Sequence, residues 1–154
     1  MKNRKRFFLS IAVICIIVLC AALLLLWKHL ANYNTVLEAN WEISIPAKAH
    51  YSEIYSNSSS SFHGDGIRYH VFSYKDDSYV GEMLDWESDE KETFFYDNYS
   101  DTVNIWLDEI NVSSKYRPNY SDCLFWYSSQ DDYSEIIILW NKRKNAIYVA
   151  ETFL

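Results

Sequence analysis

The sequence predicts an α+β protein: an N-terminal transmembrane helix, then a single domain in which an antiparallel sheet carries two helices in the order β-β-α-α-β-β-β. Three observations lead there. Phe7 to Trp27 is a run of 21 residues without a charge. Val103, Trp106, Leu107 and Ile110 fall at i, i+3, i+4 and i+7, one face of an amphipathic helix. Leu124–Tyr127, Glu135–Trp140 and Ala146–Glu151 are short strand-like runs parted by polar turns, the pattern of an antiparallel meander.

Residues 1–6 form a basic tail with Lys2, Arg4, Lys5 and Arg6 and no acid. The apolar run 7–27 would make a helix about 31 Å long at ~1.5 Å per residue, the thickness of a bilayer's hydrocarbon core. Base before the span and mostly acid after it place the N-terminus in the cytoplasm. A cleaved signal peptide is the competing reading. Its apolar core is shorter and ends at a small-x-small site, whereas Ala21 and Ala22 are followed by Leu23–Leu26. An uncleaved signal anchor is therefore expected, giving a single-pass protein of the cell membrane with an extracytoplasmic C-terminal domain.

Residues 28–40 read as a linker, as continuing helix or extended chain, and 41–154 as the domain. Trp41-Glu-Ile-Ser-Ile45 alternates and stops at Pro46, which predicts a short edge strand. Tyr51–Ser56 is a weaker strand candidate, and Ile67–Tyr74 alternates well. Asp76-Asp77-Ser78 offers N-cap chemistry for a short helix reaching Trp86, and Ser100 or Asp101 can cap the helix that carries Trp106. Ile136–Leu139 is apolar on both faces, the mark of a central strand.

Charge excludes one class of function. Four of the 14 basic residues lie in the tail, which leaves ten against all 21 acidic ones, a net of −11 beyond it. Such a domain repels nucleic acid, whose binding depends on Lys and Arg releasing phosphate counterions. Cys123 is the single cysteine outside the apolar run, so the fold rests on no disulfide, and its expected role is a small, partly buried hydrophobe.

Phe62-His63-Gly64-Asp65-Gly66 is the densest local signal. Glycines around an aspartate supply positive φ and an Asx turn, as a tight connection needs. The functional alternative makes the loop a ligand-binding surface of Phe62, His63 and Asp65 with Tyr51, Tyr55, Tyr69 and Tyr74 beside it. His63 and Asp65, with His70 or His50, are also the candidates for a metal or acid–base site. Their spacing matches no HExxH, CxxC or repeated His pair, so no metal, catalytic residue or cofactor is assigned. Asp85, Glu87, Asp89, Glu90 and Glu92 lack the ligand spacing of an EF-hand and read as a solvated connector. Lys142-Arg143-Lys144 is a basic turn that keeps a hairpin in water or touches acidic headgroups. Trp106, Trp126 and Trp140 are assigned to the core.

The FHGDG loop, preceded by Ile45-Pro46 and followed by an alternating aromatic strand, resembles a group of small uncharacterised membrane-anchored exported proteins of low-G+C Gram-positive bacteria. The likeness spans residues 43–86. In that group the pentapeptide is often preceded by His-Gly-Gly, where Ser59-Ser60-Ser61 stand here, so a histidine site shared with it is not implied. The resemblance implies a location and no activity. The expectation is a membrane-tethered binding module whose partners are the lipid bilayer and a protein or cell-envelope component. Two other readings are an exported metal-dependent or acid–base enzyme built on His63 and Asp65, and a membrane immunity protein.

Overall fold

In the computed structural model, residues 13–26, 32–59, 65–86 and 99–154 are described. The chain forms two compact units, Met1–Ser44 and Ile45–Leu154.

In the first unit, residues 13–26 are helical (α1). Among the described residues no helix is long and apolar enough to cross a membrane, and residues 7–12 and 27 of the apolar run lie outside them. Part of the linker is also helical, as α2 (Tyr33–Trp41). Asn32 caps its start by accepting from Asn34 N at 3.1 Å, and Glu42, left-handed at φ 58, ends it. The strand expected at Trp41–Ile45 is therefore not formed. Its alternation does track burial, with Trp41, Ile43 and Ile45 inside and Glu42 and Ser44 exposed, but the segment joins no ladder. Period two records which side is wet; a strand needs a pairing partner as well.

The second unit is α+β, built on a five-stranded antiparallel sheet. Its strands are β1 (Ser52–Ser58), β2 (Gly66–Ser73), β3 (Leu124–Ser129), β4 (Glu135–Asn141) and β5 (Ala146–Phe153), in the order β1-β2-β5-β4-β3. The meander β3-β4-β5 matches the expectation. The N-terminal hairpin β1-β2 adds along the far side of β5, from Gly66↔Phe153 to Ser73↔Ala146. Consequently β5, not β4, lies in the middle. Ile136, Ile137, Ile138 and Leu139 are buried on both faces as expected, but two-sided burial marks any interior strand and cannot say which is central.

Among the described residues, helix α3 (Asp101–Glu109) packs on the sheet. Val103, Trp106 and Leu107 face Tyr69 and Val71 of β2, Phe125 of β3, Ile137 and Leu139 of β4 and Tyr148 of β5. Val103 and Leu107 are fully buried, each contributing roughly 1.5–3 kcal/mol of apolar transfer. Cys123 belongs to this core, with its Sγ 3.3 Å from the Asn119 carbonyl. Ser100 makes no side-chain capping bond; its own backbone is helical.

The helix expected from Asp76 to Trp86 is instead a chain of turns. Asp76 accepts from Ser78 N at 3.0 Å, an Asx turn. The Val80 carbonyl, which a helix would offer to Leu84, accepts from Met83 N at 3.2 Å and from the Trp86 indole at 2.8 Å. Capping chemistry was present, yet side-chain and short-range bonds captured the acceptors that a helix would use. Among the described residues the order in this unit is therefore β-β-α-β-β-β.

Candidate functional site

Two stretches of β-sheet surface gather polar chemistry: the β1–β2 hairpin, and the end of the sheet where that hairpin turns.

The hairpin is closed by Ser59. Its backbone N–H donates to the Ile67 carbonyl at 2.8 Å, and its Oγ accepts from Ile67 N at 2.8 Å. Gly66 has φ 115, a conformation that the absence of a Cβ permits, so the expected positive-φ role holds there. Asp65 is exposed. Phe62, His63 and Gly64 lie outside the described residues.

The four tyrosines assigned to the loop's surroundings are mostly structural. Tyr69 is fully buried and donates to the Tyr116 carbonyl at 2.7 Å; burial pushes its hydroxyl far above the ordinary tyrosine range. Tyr74 is buried and accepts from Trp140 Nε1 at 2.5 Å. Tyr55 stacks on Tyr116 with centroids 4.0 Å apart and meets Tyr69 edge-on. Tyr51, half-buried, sits edge-on to Phe72 at 5.6 Å. Nearness in sequence to a loop suggests exposure. The strand period instead sends Tyr55 and Tyr69 to the α3 side of the sheet.

A β-bulge decides the rest. The β1–β2 register slips between Glu53↔Phe72 and Tyr55↔Val71, so Glu53 and Tyr55 point to opposite faces although they stand two apart. Glu53 is thereby turned to the face of His70, whose Nδ1 lies 2.6 Å from Glu53 Oε1. Desolvation holds the imidazole below its ordinary value and Arg68 adds to that, against the raising pull of the Glu53 hydrogen bond and charge. Arg68 stands on the same face, directly across the ladder from the fully buried Glu151, and its guanidinium lies 4.3 Å from the centre of the Phe153 ring. The sequence offers His70 as a partner of His63 and Asp65 and gives no sign of the Glu53 carboxylate that meets its Nδ1. Nothing in the sequence marks a bulge at Ile54. Among the described residues, no group of three or more His, Cys, Asp or Glu side chains is placed to hold a metal ion.

Register brings the hairpin to one end of the sheet with two other segments. Ile67 pairs with Thr152, Thr152 with Glu135 and Glu135 with Ser129, so the start of β2, the C-terminal residues and the β3–β4 turn lie at the same end. There Tyr127, Ser129, Gln130, Asp131, Tyr133, Glu135 and Leu154 line a cleft of about 590 Å³. The opposite end carries the basic turn, where Lys142 meets Asp77 at 3.5 Å and Arg143 pairs with Asp122. Asp85 is exposed, as a solvated connector requires; residues 87–98 lie outside the described ones.

No protein-family model, no curated protein and no solved structure matches the chain.

Proposed function

We propose that the protein is a membrane-tethered binding module with its acidic domain outside the cytoplasm. Helix α1 carries this reading. Its large apolar side chains, from Val13 at 48 % to Leu25 at 69 %, are exposed around the helix, with no charged residue anywhere in Phe7–Trp27. A helix that is apolar all round favours hydrocarbon over water. The basic tail before it then sets the orientation. The partners are the bilayer and a protein or cell-envelope component, met by the segment that carries Phe62, His63 and exposed Asp65. Tyr69 and Tyr74 drop out of that surface because they are core.

Protease added to intact spheroplasts tests the proposal. Loss of the segment beyond Trp41 with the tail preserved is the expected result, whereas full protection until lysis would overturn it.

The contact between His70 and Glu53 favours a second reading, an exported acid–base enzyme. A carboxylate 2.6 Å from an imidazole nitrogen orients the ring and fixes its tautomer. Any hydrolytic activity of the purified chain must then fall in both His70→Asn and Glu53→Gln while the unfolding midpoint holds. Activity indifferent to both removes this reading.

A further inference from the structure

We infer that the cleft at the β3–β4 turn is a site for a small organic ammonium ion. The inference goes beyond the tethered-module reading and does not require it.

The walls have the chemistry that such an ion needs. Tyr127 and Tyr133 line the cleft, and the negative quadrupole of an aromatic ring attracts a cation most strongly when that cation is poorly hydrated. Alkylated ammonium groups meet that condition, and sodium does not. Glu135 supplies the countercharge and is held by the Tyr127 hydroxyl, which donates to its Oε1 at 2.7 Å. The Tyr127 ring is itself fixed by stacking on Tyr99, with centroids 4.5 Å apart. The carboxylate and one ring are thus set in place before any ligand arrives. Asp131 lies on the rim, and among the described residues neither it nor Glu135 makes an ion pair.

Tyr133 is the second wall, and its backbone is informative. The turn closes through Tyr133 N–H to the Gln130 carbonyl at 3.0 Å and Gln130 N–H to the Ser134 carbonyl at 2.9 Å. Tyr133 takes the left-handed position, φ 67, and the residue is 77 % exposed. Glycine or asparagine fills that position without strain, and a bulky ring gains nothing there from packing. An exposed aromatic kept at a strained turn beside a carboxylate and a second ring points to a ligand.

The test uses the full chain in an uncharged maltoside detergent, with ¹³C-labelled tyrosine rings followed by NMR during titration with choline chloride. Sodium chloride at equal ionic strength is the control. Saturable shifts confined to Tyr127, Tyr133 and Tyr99 are expected with choline and not with sodium. Tyr133→Gly, which suits the left-handed turn, and Glu135→Gln, which keeps the hydrogen-bond acceptor, should each weaken binding roughly three- to thirty-fold. Equal, non-saturating shifts with both salts would overturn the inference, as would choline affinity unchanged in both variants. Spheroplast proteolysis reads the tether and not this cleft, so the two ideas fail separately.

Discussion

At the β4–β5 turn the left-handed position belongs to Asn145, φ 50, and at the β3–β4 turn it belongs to Tyr133, φ 67. Asparagine takes that backbone at little cost, whereas tyrosine takes it with strain. The same contrast runs through the charges around the two turns. At the basic end Lys142 and Arg143 are matched by Asp77 and Asp122, and the Asn141 side chain accepts from Lys144 N at 2.9 Å. At the acidic end Asp131 and Glu135 make no ion pair among the described residues, and two rings line an open cleft. One end of the sheet matches its charges and puts asparagine at the left-handed turn; the other retains strain and uncompensated charge. Local consistency is the rule in a well-folded sequence, so the inconsistent end is where a selected function is sought.

The contrast can be broken most violently from the stable end. Trp140 is buried, donates to Tyr74 and lies 5.4 Å from the Trp86 ring. Trp140→Ala should cost about 3–5 kcal/mol in urea unfolding. Tyr74→Phe, which strands a buried indole N–H, should cost about 1–3 kcal/mol. A smaller, signed effect separates the turns. Asn145→Ala should destabilise by about 1 kcal/mol, whereas Tyr133→Gly should leave stability unchanged or raise it by up to about 1 kcal/mol. If both variants lose stability equally, Tyr133 is packed after all and the contrast collapses.

The His70 and Glu53 contact predicts a pH effect. An unfolded histidine titrates near 6.5, and the folded His70 lies below that. Between the two values the unfolded chain binds more protons, so stability rises with pH. The contribution is complete above about pH 6.5 and is lost as pH falls through the folded value. Urea midpoints should therefore decline from pH 7 toward pH 5, less steeply in His70→Gln. Glu53→Gln should move the His70 titration lower still, because the carboxylate is what pulls it upward. The smallest effect belongs to the basic turn: Lys142→Ala should change stability by less than about 0.5 kcal/mol, since both partners of its ion pair are largely exposed.

Particular residues show what was legible in advance. The 3.6-residue period from Val103 to Ile110 appeared as α3, and the meander appeared with strand ends displaced by at most two residues, because a half-buried element writes its burial into its own spacing. Gly66 was readable for a similar reason, since positive φ is a local demand. By contrast, Asp76-Asp77-Ser78 suggests a helix that competing hydrogen bonds prevent, and Trp41–Ile45 suggests a strand that pairs with none of the described strands. Tyr69 and Tyr74, expected at the loop's surface, are core residues, because distance along the chain says little about which face of a sheet a residue occupies.

The sequence by itself determined the α+β class, the uncharged apolar run, the segregation of charge and most of the elements. These follow from period, composition and local stereochemistry, each confined to a short window. Tertiary structure alone decided that β2 would join β5, that a bulge would swing Glu53 onto His70, and that Tyr127, Tyr133 and Glu135 would face one cleft. Those outcomes depend on the register between strands far apart in the chain, and register is a property of pairs that no single window contains.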